Sequence, residues 1–419
     1  MKSNSSDLLE KLKQVARLAA RSEFYANRLV EMGIKIDDIS SIEGFRKLPL
    51  ITSPDMREHS RTFPAVPRDQ IAALFASGGT TGKPKIMYWT EEGLDESSGI
   101  VASHLEKFFP MRGKLCVLIV PGDNLAIVGT IMRKALHMMG ATTAMMGLMF
   151  TQEQKKELID VLREEEPYLL MGNPARLLSL LKDCKEMGVD PKTFGLTYTM
   201  STSEVLQDKT KKLIEDSFGA KVIQQSGMTE VAGISIECSE RNGMHVLEEG
   251  VFLEVCDPET GESIMEGVGE IYVTNLTNPA YPLVRYRTED LARITYKSCP
   301  CGLESPRLWY KCRLSESVSL KGHTIYAYQI DEALNAIPEL SPHFSLSVES
   351  EDGVSLAVEC DAASRSDETL AKLRKILQES VPPLAQVEFT LTFVDIESLT
   401  RTPRGKVAKR MQDLRGEKV

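Results

Sequence analysis

Between about Leu115 and Gly219, short apolar runs alternate with charged amphipathic stretches: Leu115 to Val120, then Ile127 to Met139, Gln152 to Arg163 and Pro174 to Leu181. Extended runs need partner strands and amphipathic stretches need a face to cover, so the alternation predicts a parallel, doubly wound α/β sheet. Past Gly250 the texture changes. Val251-Phe-Leu-Glu-Val, the turn Asp257-Pro-Glu-Thr-Gly261 and Gly269-Glu-Ile-Tyr-Val read as antiparallel strands. From Val318 onward, β-like runs at 344–348, 354–359 and 387–393 surround helical stretches at 327–337 and 366–381, which predicts a small α+β domain. At the other end, Leu8, Leu9, Leu12, Val15, Leu18 and Ala19 recur at helical spacing and Gly33 offers a stop, so the chain opens with a helix or two. The 419 residues exceed what one core holds. The expectation is a large layered α/β domain with an added β section over residues 1–313 and a small α+β domain over 314–419.

Fifty basic against sixty acidic side chains leave a formal charge of -10, which repels phosphate backbones and anionic lipid. Neither nucleic acid nor membrane is expected as a partner. No apolar run suits a secretory signal or a span, which predicts a cytoplasmic protein. Of the eight cysteines, Cys116, Cys184, Cys256 and Cys360 stand singly and read as buried small hydrophobes or idle thiols. The methionines Met138, Met139, Met145, Met146 and Met149 read as adaptable core or the lining of an apolar pocket.

The segment with the most chemistry is Ser77-Gly-Gly-Thr-Thr-Gly-Lys-Pro-Lys85, directly after the apolar run Ile71 to Ala76. Glycines let backbone N–H groups converge on an anion, threonines add hydroxyls and lysines add charge, so it suits a polyphosphate. It is not the common P-loop. Gly78 and Gly82 enclose three residues rather than four, and Pro84 rather than Ser or Thr follows Lys83.

Read with four later motifs, this loop resembles that of the adenylate-forming ligases, in particular the phenylacetate-coenzyme A ligase branch. Gln225-Ser-Gly-Met-Thr-Glu230 is similar to the family's aromatic-Gly-x-Thr/Ser-Glu motif, and Asp257-Pro-Glu-Thr-Gly261 to that branch's β-turn. Pro282-Leu-Val-Arg-Tyr-Arg-Thr-Glu-Asp290-Leu resembles its Pro-x-Ile-Arg-Tyr-Arg-Thr-x-Asp-Leu, and Arg401-Thr-Pro-Arg-Gly-Lys406 its C-terminal Arg-x-x-x-Gly-Lys loop. The matches keep family order from about residue 20 to about 410.

The resemblance implies an enzyme that joins a carboxylate to ATP, releases pyrophosphate and passes the acyl group to a thiol. Two anions meet in the first step, so charge neutralisation is the main need. By this likeness Ser77, Gly78, Gly79, Thr80, Thr81, Gly82 and Lys83 would hold phosphates. Ser203, Glu204, Ser226, Gly227, Met228 and Thr229 would border the nucleotide, with Thr229 at the α-phosphate, and Glu230 would hold Mg²⁺. Asp290 would accept from the ribose hydroxyls, with Arg313 nearby, and Lys406 would bridge the carboxylate and the α-phosphate from a mobile C-terminal domain. Two departures stand out. Ser226 replaces the usual adenine-stacking aromatic, and Cys312-Arg-Leu-Ser-Glu316 replaces Gly-Arg-x-Asp-Asp, so Ser315 stands at the hinge aspartate while Lys321-Gly322 keeps a cation.

Cys238 and His245, with Cys299 and Cys301, supply three thiols and an imidazole, a complete tetrahedral set for structural zinc. Some members of the branch carry these residues. Cys312 is a reserve ligand, whereas His59, His104, His137, His323 and His343 have no such grouping. The function expected is AMP-forming ligation of an aryl or arylacetic acid to coenzyme A, with ATP, Mg²⁺ and Zn²⁺ as cofactors. Delivery to a carrier-protein thiol or an amine, and nucleotide binding without catalysis, are the alternatives. A second copy of the chain is a candidate partner.

Overall fold

The computed structural model describes residues 5–77, 83–121, 125–147, 151–401 and 407–416. The chain divides into two compact units. The larger comprises Met1–Glu204, Ile214–Thr288 and Ala292–Trp309; the smaller comprises Val205–Leu213, Glu289–Leu291 and Tyr310–Val419.

The chain opens with helices Ser5–Ala19 and Glu23–Glu31, the second capped by the Ser22 hydroxyl accepting from Tyr25 N–H. Gly33 at φ +64° turns the chain out of it. A two-stranded ladder follows, β1 (Ala73–Ser77) antiparallel to β2 (Lys85–Trp89), with Ser77 opposite Lys85.

One eleven-stranded sheet follows. Its strands are β3 (Leu115–Leu118), β4 (Thr142–Met145), β5 (Leu169–Gly172), β6 (Tyr198–Ser201), β7 (Lys221–Met228), β8 (Ala232–Glu237), β9 (Met244–Val246), β10 (Val251–Cys256), β11 (Gly267–Asn275), β12 (Tyr286–Thr295) and β13 (Arg307–Arg313). Their order is β10-β11-β12-β13-β9-β8-β7-β6-β5-β3-β4. The β4-β3-β5-β6-β7 half is parallel, and helices such as Ile127–Met138 and Gln152–Glu165 connect its strands, as the alternation predicts. The β8, β9 and β13 neighbours pair antiparallel. The expected α/β layers and added β section are therefore continuous through one strand. β7 pairs parallel to β6 up to Gln224 and antiparallel to β8 from Gln225.

In the smaller unit, β14 (Ser317–Leu320) and β15 (His323–Tyr326) close on Lys321 and Gly322, both at positive φ, the turn that matches strand twist. The strands β16 (Phe344–Val348), β17 (Gly353–Glu359), β18 (Glu388–Val394) and β19 (Met411–Asp413) form a sheet of order β18-β17-β16-β19. Helices Ala327–Asn335 and Asp367–Ser380 bury Ile330, Leu334, Leu373 and Leu377.

Cys116, Cys184, Cys256 and Cys360 are buried, as expected. The methionine expectation needs correction. Met139 is core, but Met138 is 49% exposed, because the helix Ile127–Met138 ends there and its last side chain points outward. Met149 lies outside the described residues.

Candidate functional site

Ser77 and Lys85, directly opposite each other at the ends of β1 and β2, converge on one oxygen of Glu230. Lys85 Nζ pairs with Glu230 Oε1 at 2.5 Å and Ser77 Oγ donates to the same atom at 3.1 Å. The ammonium also donates to the Tyr286 hydroxyl at 2.8 Å and to Ser53 Oγ at 3.3 Å. Burial disfavours the Lys85 charge, but the Glu230 carboxylate and the Tyr286 hydroxyl outweigh it and hold the pKa above its ordinary value. Burial, and then the Glu230 charge, push the Tyr286 phenol up. The result is a buried carboxylate and a largely buried ammonium between the two flanks of the expected phosphate loop.

Tyr286 opens β12, and Arg285, just before it, takes φ +52°, a turn rather than a strand conformation. Its neighbours Arg285 and Arg287 turn the other way: Arg285 Nε donates to buried Glu254 at 3.1 Å, and Arg287 Nε to buried Glu270 at 2.8 Å. The Arg-Tyr-Arg run thus anchors a strand on one face and delivers a phenol on the other.

The segment 225–230 lies where β7, past the carboxyl end of its parallel pairing with β6, turns to pair antiparallel with β8. Thr202 Oγ1 donates to Gln225 Oε1 at 2.7 Å, and the Ser226 and Ser235 hydroxyls bond at 2.6 Å. Gly227 admits no side chain, since a Cβ would stand 2.4 Å from Ala232 O. Ser203 takes φ +66°, and Glu204 accepts from Asn173 Nδ2 at 3.2 Å. Met228 and Thr229 are half-buried, whereas Glu230 is buried. In the smaller unit Arg313 Nε pairs with Asp290 at 3.1 Å.

A second cluster forms in the larger unit. The ligand atoms of Cys238, His245, Cys299 and Cys301 all lie within 4.8 Å of one another. Cys238 and Cys299 sulfurs are 3.8 Å apart, and Cys301 Sγ is 3.3 Å from His245 Nε2. His245 Nδ1 lies 3.1 Å from the Ser305 carbonyl, which can only accept, so the proton sits on Nδ1 and Nε2 keeps its lone pair toward the thiols. Burial lowers the His245 pKa, pushes the Cys238 thiol up to about 12 and raises Cys301. Such thiols stay protonated until a cation displaces the proton, and this donor set suits Zn²⁺. Cys312, the expected reserve ligand, is not among the four. It is buried within the smaller unit, where Glu316 and Asp331 oppose its ionisation. His104, which sequence spacing left ungrouped, has its ring centroid 6.3 Å from that of His245.

The AMP-binding enzyme family profile matches residues 34–277, and that family's C-terminal domain matches residues 322–415. The chain belongs to the AMP-binding enzymes. It is 29% identical over 433 residues to a phenylacetate-coenzyme A ligase of Thermus thermophilus, covering 97% of this chain and 95% of that one. The corresponding enzyme of Escherichia coli K12 is 27% identical over 403 residues, covering 93% and 90%. In fold it is similar to a crystal structure of 2-hydroxyisobutyryl-CoA ligase in complex with 2-HIB-AMP, with a TM-score of 0.83, 22% identity and 98% and 89% of the two chains covered. It is an adenylate-forming enzyme of the phenylacetate-coenzyme A ligase-like branch, as the motifs imply.

In this AMP-binding enzyme some of the residues named from sequence meet and others do not. Ser77 and Glu230 meet directly, and Asp290 meets Arg313. Gly78, Gly79, Thr80, Thr81, Gly82 and Lys406 lie outside the described residues, and Lys83 is exposed. Sequence reasoning passed over Lys85, Tyr286 and Ser53. The first two stood inside quoted motifs. Ser53 carried no signal, because only folding brings it across 233 positions to Tyr286. Among the described residues no helix is long and apolar enough to cross a membrane.

Proposed function

We propose that this enzyme adenylates an aryl or arylacetic carboxylic acid with ATP and transfers the acyl group to coenzyme A. The observation that carries the proposal is the near full-length similarity to phenylacetate-coenzyme A ligases, joined to a Glu230 carboxylate held by both flanks of the phosphate loop. In the first step a carboxylate oxygen attacks the α-phosphorus and pyrophosphate leaves; in the second a thiol attacks the acyl carbon and AMP leaves.

In this reading Ser77, the loop 78–82 and Lys83 hold phosphates, Thr229 meets the α-phosphate, and 203–204 with 226–228 border the nucleotide. Asp290 takes the ribose, with Arg313 ordering its carboxylate. Lys406, carried by the mobile domain 314–419, neutralises the meeting of the two anions. Glu230 is a hard oxygen donor and fits Mg²⁺, which when bound supplies positive charge at the phosphates. Lys85 and Ser77 hold that carboxylate in place. The site 238–301 fits one Zn²⁺ with four protein ligands and no open position, which makes the ion structural.

The experiment adds ATP, Mg²⁺ and a panel of carboxylic acids, and measures pyrophosphate. Release with aryl acids, followed by thioester when coenzyme A is present, supports the reading. No release with any acid sinks it. Acyl-AMP that coenzyme A leaves untouched, yet a carrier-protein thiol or an amine discharges, moves the acceptor away from coenzyme A.

A further inference from the structure

Arg307 is only 7% exposed, and its position is unusual for a buried cation. Nη1 donates to the Asn242 carbonyl at 2.9 Å, and Nη2 donates to the Lys297 and Ser298 carbonyls at 3.3 and 3.5 Å. These hydrogen-bond partners are all neutral. Among the described residues no carboxylate pairs with it, and its Nε is buried without a hydrogen bond. Its guanidinium also stands over the Trp309 ring, whose centroid is 5.5 Å away and is shared with Arg293 at 4.1 Å. A guanidinium taken out of water without an anion is costly, so an anion should be near.

The carbonyls it grips show where. Asn242 lies in the turn between Cys238 and His245, and Lys297 and Ser298 immediately precede Cys299. Arg307 itself is the ladder partner of His245 across β9 and β13. Three thiolates and one divalent cation sum to a single negative charge, which Arg307 offsets. Resting on the zinc reading above, we propose that Arg307 is a positioning residue for the metal centre, tying its two ligand-bearing turns together and balancing the charge of the metal–thiolate cluster.

The conservative change separates the two parts of this role. Lysine keeps the charge but cannot fork to both turns; glutamine loses the charge. The full chain would be purified as wild type, R307K and R307Q, its folded fraction measured by circular dichroism, and its zinc affinity measured by competition with a chromophoric chelator. Cobalt substitution would report the thiolate field through its visible absorption. The expectation is an affinity loss of about 10- to 100-fold for R307Q, the usual effect of removing a group behind the ligands, and a smaller loss for R307K. R307Q holding zinc as tightly as wild type overturns the proposal, and so does R307K losing as much as R307Q. If R307Q does not fold, R307K alone decides, since unchanged zinc affinity there overturns the tie between turns. Wild type without zinc would sink the metal reading itself, whereas zinc-loaded wild type with indifferent variants sinks only the role of Arg307.

Discussion

Lys85 and Glu230 are 145 positions apart in sequence and 2.5 Å apart in space, and each solves a problem the other creates. A buried carboxylate needs a cation beside it, and a buried ammonium needs an anion. Removing one partner strands the other, which typically costs about 3–5 kcal/mol when both are buried. Lys85→Met is therefore expected to lower thermal stability strongly and to cut pyrophosphate release by about 10²-fold, in the range of losing one preorganised charge contact. The double variant K85M/E230Q removes the stranded charge and should regain most of the stability without regaining activity. Calorimetry alongside pyrophosphate release checks this; a double variant as unstable as K85M would show that the pair is not what the stability loss reports.

Elements were legible where a local pattern dictates them. The opening helices, the Gly33 stop and the alternation from Leu115 each rest on spacing that any partner would satisfy. What joins them was not legible. That β7 serves as a parallel strand up to Gln224 and an antiparallel one from Gln225 depends on which strand lies beside each half, and no local pattern encodes a neighbour. The cysteine–histidine turns show the same division. Their three thiols and imidazole were readable as chemistry, but the Arg307 grip on both turns needed coordinates, because carbonyl acceptors have no signature in sequence. From this element comes the second expectation. Purified protein should carry about one zinc per chain, and C299S or C301S should lower the melting temperature while the folded remainder still adenylates, since a closed four-ligand site acts on folding. Elemental analysis finding no zinc in protein never exposed to chelator, or a variant of full stability, would remove the claim.

At the scale of the whole molecule, the proposed chemistry needs a cation at one step and its absence at the next. Within the smaller unit, Glu359 is fully buried and pairs with Arg401 at 2.5 Å while accepting from Leu399 N–H at 3.1 Å. Arg401 in turn bridges to Val407, so the ends of the segment 402–406, which carries Lys406, are tied to the sheet of that unit. If Lys406 serves only while carboxylate and α-phosphate approach, its loss must act on one half-reaction. Lys406→Ala is expected to slow acyl-AMP formation by about 10²–10³-fold, by analogy with preorganised charge contacts, and to leave transfer from supplied acyl-AMP to coenzyme A near the wild-type rate. The two half-reactions are measured separately, pyrophosphate release for the first and thioester formation for the second. Equal loss in both would mean that the lysine holds the nucleotide throughout, and wild-type adenylation would mean that the neutralising charge comes from elsewhere in the chain.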